Sequence, residues 1–139
     1  MILGIGHDLC DIRRIERLLE TLPERFKSRI YTEKERAAAQ DRQNEAAYLA
    51  LRFAAKEAIY KAFSRYDQTG MSWHHAEILT DSKTGAPTVS LYGPCLDALS
   101  HAAPDGYDAD IQLSLSDEYP YASAYVILSA RPLLSSGQA

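Results

Sequence analysis

The sequence predicts an α+β fold in a single domain: an N-terminal strand and helices, then a long central helix packed on an antiparallel sheet. Three observations carry this. Apolar residues recur at helical period through the first half, above all in "AAYLALRFAAKEAIYKAF". Strict alternation of apolar and polar residues appears later, in "ADIQLSLS". And 139 residues suit one hydrophobic core.

The elements follow in order. Met1, Ile2 and Leu3 open a strand over residues 1–6 that runs into Gly4-x-Gly6, where glycines are expected to let the backbone turn. Residues 11–20 form an amphipathic helix with Ile12, Ile15, Leu18 and Leu19 on one face. Pro23 can open a short helix through Phe26 and Ile30. Thr32 followed by Glu35 is a capping box for a third helix. The long helix covers 44–64 and ends in the polar loop "SRYDQTG". Strands near 73–80 and 88–92 flank the turn "DSKTGAP", and a short helix covers 94–103. "ADIQLSLS" is a half-buried strand, joined through "DEYP" to the last strand, "YASAYVILS". The domain is expected to span 1–132, with 133–139 a flexible C-terminal tail.

Composition excludes several classes. With 46% hydrophobic and 24% charged residues the chain is globular rather than disordered. No apolar run approaches the roughly 20 residues of a membrane span, and the N-terminus lacks the basic segment of a signal peptide. Cys10 and Cys95 sit in apolar surroundings and read as reduced thiols, which suits a cytoplasmic protein. Charge is segregated: residues 1–65 carry a net +3 and residues 66–139 a net −7. Arg13, Arg14, Arg17, Arg25, Lys27 and Arg29 crowd the first helices, which suits either an anionic partner or a solvated basic face.

The long helix is the most informative element. At about 100° per residue, Tyr48, Leu51, Ala55, Ile59 and Ala62 form one apolar stripe and Leu49, Phe53 and Tyr60 another. Arg52 with Lys56, and Glu57 with Lys61, form polar stripes between them. A helix apolar on two sides is buried against two neighbours, so its polar groups must face a cleft or find partners. Glu57 and Lys61 can pair with each other at i,i+4. Alternatively Glu57 faces a second carboxylate, for which Asp8 is the candidate. Asp8 could instead cap the first helix, although Asp11 is also available for that. His74 and His75, being adjacent, point to opposite faces of a strand and are poor joint metal ligands; His7 reads as a lone histidine.

The ordered set "GIGHDL…RRIE", "LRFAAKEAIYKAF", "TGAPTVSL" and "IQLSLSDEYPYASAYVIL" resembles holo-acyl-carrier-protein synthase, the small bacterial 4′-phosphopantetheinyl transferase family, over almost the whole chain. The resemblance implies that family's fold. It implies transfer of 4′-phosphopantetheine from coenzyme A to a serine of apo-acyl carrier protein, releasing adenosine 3′,5′-bisphosphate. It implies a Mg²⁺ site at Asp8 and Glu57, with Glu57 and Lys61 catalytic. Arg52, Lys56, Lys61 and Gly70 would contact coenzyme A. Arg13, Arg14, Arg17 and Arg25 would meet the acidic carrier protein, and the assembly would be a homotrimer with sites at subunit interfaces.

The sequence departs from the family pattern twice. Asp117 in "SLSDE" stands where the family usually has a histidine, and "SRYDQTG" keeps only Gly70 of a glycine-rich loop beside the nucleotide. These departures motivate a rival reading, a coenzyme A or nucleotide-binding module without transferase activity. Retention of Asp8, Glu57 and Lys61 favours the enzyme.

Overall fold

The computed structural model of the chain describes residues 1–134. Its elements run β1 (Ile2–Asp11), α1 (Ile12–Thr21), α2 (Pro23–Ile30), α3 (Glu33–Gln40) and α4 (Glu45–Ala62), then β2 (Ala76–Thr80), β3 (Pro87–Leu91), α5 (Gly93–Ala102), β4 (Tyr107–Glu118) and β5 (Tyr121–Pro132). Two antiparallel sheets result: a three-stranded one in the order β1-β5-β4, and the hairpin β2-β3. The α+β expectation holds, with α4 lying along β1 and β5 on the inner face of the larger sheet. Of the tail foreseen at 133–139, Leu133 and Leu134 are exposed, with the Leu133 N–H donating to Gly106 O at 2.8 Å; the rest lies outside the described residues.

The expected turn at Gly4-x-Gly6 is corrected. β1 runs straight through both glycines to Asp11, pairing Gly4 with Leu128 and Gly6 with Val126. Neither has a positive φ, so conformational freedom is not their role. The reason is the helix behind them. A Cβ on Gly4 would lie 2.2 Å from Ala62 O, and one on Gly6 only 1.7 Å from Ala58 O. Bare strand backbone opposite small helix residues lets α4 ride directly on β1.

The other elements form for the foreseen reasons, with shifted ends. Asp11 caps α1, its carboxylate accepting the Arg13 N–H at 3.0 Å, which leaves Asp8 without that duty. Thr32 and Glu35 form the capping box of α3. Residues 73–75 are a 3₁₀ turn rather than strand, because the Ser72 N–H donates to His75 Nδ1 and the His75 N–H returns to Ser72 O. Alternation in β4 and β5 puts Ala122, Ala124, Val126 and Leu128 into the core. It leaves Tyr121, Tyr125 and Ile127 on the outer face, beside Ile5 and Leu9 of β1.

Candidate active site

Asp8 leaves the middle of β1 toward α4, where its Oδ1 receives the Lys61 Nζ at 2.9 Å. The Glu57–Lys61 pair that helix spacing allows is absent from the ion pairs of the described residues; Lys61 crosses to the strand instead. Glu57 lies one turn before Lys61, half-buried. Its carboxyl is pushed up first by burial and then by the Asp8 charge, with Lys61 and Arg14 opposing. The Lys61 ammonium is held up by its hydrogen bond to Asp8. Two carboxylates and one ammonium thus converge where strand and helix touch most closely. The donor set is two hard oxygen ligands from separate elements, with a cation already drawn to one of them. Mg²⁺ takes one or two carboxylates and keeps its other positions for water and phosphate, so these residues fit it.

Beside this cluster stands an aromatic wall that the periodicity did not reveal. Phe53 stacks on Trp73 with centroids 5.4 Å apart, Tyr60 meets Trp73 edge-on at 6.0 Å, and the Arg14 guanidinium lies 5.0 Å from the Phe53 ring. Trp73 also closes a groove of ≈ 290 Å³ lined by Leu18, Leu22, Arg25, Phe26, Arg29 and Ile30. The sequence signal existed in Leu18, Leu22 and Phe26, spaced four apart across the α1–α2 junction, but their common destination was not visible. Arg13 is bound fork-to-fork to Asp11, at 2.9 and 2.7 Å. Arg17 is exposed on α1.

Arg52 and Lys56 occupy a different part of the molecule. Arg52 is 4% exposed; its Nη2 donates to Thr80 Oγ1 at 2.7 Å, its guanidinium stacks 3.6 Å from the Tyr48 ring, and its Nε has no partner. Arg42 covers the same ring at 4.8 Å. Lys56 is fully buried and donates to Glu35 at 2.8 Å, Trp73 O at 2.7 Å and Ala76 O at 2.6 Å. An ammonium has three N–H donors, and all three are spent inside the fold. The expectation that Lys56 assists coenzyme A binding is therefore corrected: it is a strut between α4, α3 and β2, and no donor remains for a phosphate. Arg52, five residues before Glu57, lies about 140° around α4 from it, so one copy of the chain does not bring Arg52 to the Asp8 cluster.

Gly70 has φ +79° and borders a cleft of ≈ 420 Å³ between the 64–70 loop and α5, lined by Tyr66, Asp67, Thr69, Pro94, Asp97 and His101. Asp117 sits exposed near the end of β4 opposite Ala122, on the far side of β5 from β1. His7 lies on the outer sheet face, stacked on Tyr125 at 4.3 Å and bonded to Ser123 Oγ at 3.3 Å.

The 4′-phosphopantetheinyl transferase superfamily model matches residues 4–122. A holo-[acyl-carrier-protein] synthase of Dinoroseobacter shibae is 44% identical over 133 residues, covering 96% of this chain and 95% of the relative. One from Paramagnetospirillum magneticum is 47% identical over 135 residues, covering 95% and 99%. Among solved structures, the Neisseria meningitidis synthase superposes with a TM-score of 0.75 at 34% identity, covering 93% of this chain and 99% of that one. The Bacillus anthracis synthase in complex with coenzyme A (3′,5′-ADP) gives 0.71 at 31%, covering 92% and 96%.

Proposed function

The chain belongs to the 4′-phosphopantetheinyl transferase superfamily, and from that membership we propose that it moves 4′-phosphopantetheine from coenzyme A onto a serine hydroxyl of an apo-acyl carrier protein. The serine oxygen bonds to the phosphorus that carries pantetheine. The P–O bond to the nucleotide breaks, and adenosine 3′,5′-bisphosphate leaves with the electron pair. The observation that carries this reading is the meeting of Asp8 with Glu57 and Lys61 at the β1–α4 contact.

Each residue has a task there. Asp8 and Glu57 would hold Mg²⁺, which when bound neutralises charge on the pyrophosphate oxygens. Lys61, with its side chain 55% exposed, can reach the same oxygens as charge develops on them. Glu57, a half-buried carboxylate at the same β1–α4 contact, is also a candidate acceptor for the serine proton. Arg52, whose buried Nε lacks a partner, is the candidate for the nucleotide 3′-phosphate, with Gly70 beside the nucleotide. Its distance around α4 from Glu57 favours a site completed by a second copy of the chain.

The partner surface is α1 and α2. Arg14, Arg17 and Arg25 are exposed on these helices, and Arg25 lines the apolar groove closed by Trp73, which suits an acidic helix carrying apolar side chains. Homotrimer assembly has support in the outer sheet face, where Ile5 is 62%, Leu9 58% and Tyr125 55% exposed. The two apolar sides of α4, by contrast, are consumed inside the chain. Among the described residues no helix is long and apolar enough to cross a membrane. The free, buried thiols of Cys10 and Cys95 support a cytoplasmic setting for the reaction.

The test is to incubate the protein with coenzyme A, Mg²⁺ and apo-carrier proteins of its own organism and to weigh the products intact. Gain of one phosphopantetheine by a carrier, lost in Asp8→Ala and Glu57→Ala while the circular-dichroism spectrum persists, supports the assignment. Transfer at the wild-type rate by the double variant refutes it.

A further inference from the structure

Resting on that reading, we propose that Lys61 is a resident counter-ion that competes with the divalent cation for Asp8, and that metal binding releases its ammonium toward the substrate phosphates. The observation is the 2.9 Å bond from Lys61 Nζ to Asp8 Oδ1, made across two elements in place of the i,i+4 bond to Glu57 that helix spacing offers. The Asp8 side chain is only 16% exposed, whereas that of Lys61 is 55% exposed. The carboxylate is therefore fixed by the strand, and the ammonium sits on a flexible stem that can swing away.

The need for such an ion is electrostatic. Two carboxylates held together on the close β1–α4 contact repel. The Lys61 ammonium bonded to Asp8 offsets that repulsion while no metal is present. A divalent ion with two carboxylate ligands outcompetes one exposed ammonium, because exposed pairs contribute little. Lys61 and the metal carry like charge and draw on the same carboxylate, so each weakens the other's hold on it. Displacement frees the ammonium one helical turn from Glu57, beside the group that must be neutralised.

The measurement is Mn²⁺ binding to the free protein, followed by the electron paramagnetic resonance signal of unbound Mn²⁺, with neither coenzyme A nor carrier present. Lys61→Met keeps the stem and removes the charge; it is expected to tighten Mn²⁺ binding at least about fivefold, since both the competition and the cation–cation repulsion disappear. Lys61→Arg retains the charge and is expected to bind like wild type. Asp8→Asn is expected to weaken binding in either background and to erase the difference between them. Equal Mn²⁺ affinity in wild type and Lys61→Met, with Asp8→Asn still weakening both, overturns the competition and leaves the metal site standing. Binding that is absent in every variant, or indifferent to Asp8→Asn, overturns the metal site and the competition together.

Discussion

Replacing Gly6 by alanine adds one methyl group at the tightest point of the molecule. The new Cβ would stand 1.7 Å from Ala58 O, 2.7 Å from Ala58 C and 2.9 Å from Ala62 N. All three are helix backbone, so no side chain can rotate out of the way; β1 and α4 must part by on the order of 1 Å. Overpacking of a well-filled core typically costs about 1–3 kcal/mol, and a clash with backbone belongs at or above the upper end. About 3 kcal/mol lowers the melting temperature of a domain of this size by roughly 10 °C. The control is Gly85→Ala. No atom lies within 4 Å of a Cβ there, so only the strain of φ +74° applies, about 1–2 kcal/mol. Urea denaturation, followed by Trp73 fluorescence, compares the two at equal m-value. Gly6→Ala is expected to lose clearly more than Gly85→Ala, and its residual folded fraction to bind Mn²⁺ more weakly, since the displaced helix carries Glu57 away from Asp8. A Gly6→Ala protein no less stable than Gly85→Ala would mean that the strand–helix contact is not what requires glycine.

Other expectations follow from the same geometry. Lys56→Met leaves Glu35 buried without its counter-charge and two carbonyls unpaired, and should cost about 3–5 kcal/mol in urea denaturation; adding Glu35→Gln should restore part of that loss. The bond to Arg13 holds the Asp11 carboxyl down to about 2, below its ordinary 3.8. Its contribution is present above pH 3.8 and lost as pH falls through about 2, so Asp11→Asn, which keeps an N-cap, should flatten acid denaturation over that window. Arg14→Glu should raise KM for the carrier protein several-fold while leaving KM for coenzyme A near its original value, and added salt should mimic part of the effect. Asp117→His should keep or raise activity; a large fall in kcat for Asp117→Asn with KM unchanged would instead put that carboxylate in the chemical step.

Much of the architecture was legible because its signals are local. A capping box at Thr32 and Glu35, an N-terminal proline at Pro23 and alternation in "ADIQLSLS" each determine their own element. The pairing of Asp8 with Glu57's helix was legible through the family resemblance more than through spacing. The glycines were misread because a glycine required by a neighbour close in space but far along the chain, as Ala58 is from Gly6, looks in sequence like a glycine required by a turn. Lys56 was misread for a related reason: helix periodicity shows that a lysine lies between apolar stripes, but not that Glu35 and two carbonyls await it there. The ring contacts of Trp73 join α4 to a 3₁₀ turn, and no local pattern encodes a contact between elements.

The pairing of β1 with β5 has a temporal consequence. Among the described elements the strand that carries Asp8 is translated before the others, yet its strand partner is the last of them, with Ile2 opposite Ser129 and Asp8 opposite Ala124. Until β5 leaves the ribosome, β1 has α4 to lie on but no ladder for its backbone amides. The N-terminal helices and α4 can form as they appear, since their hydrogen bonds are local. The sheet must wait for closure of nearly the whole chain, an entropic requirement of high contact order that slows folding. Asp8 and Glu57 are therefore translated well before β5, but Asp8 lies on a strand that is paired only once β5 is available, so a nascent chain stalled before β5 would carry both carboxylates with Asp8 on an unpaired strand.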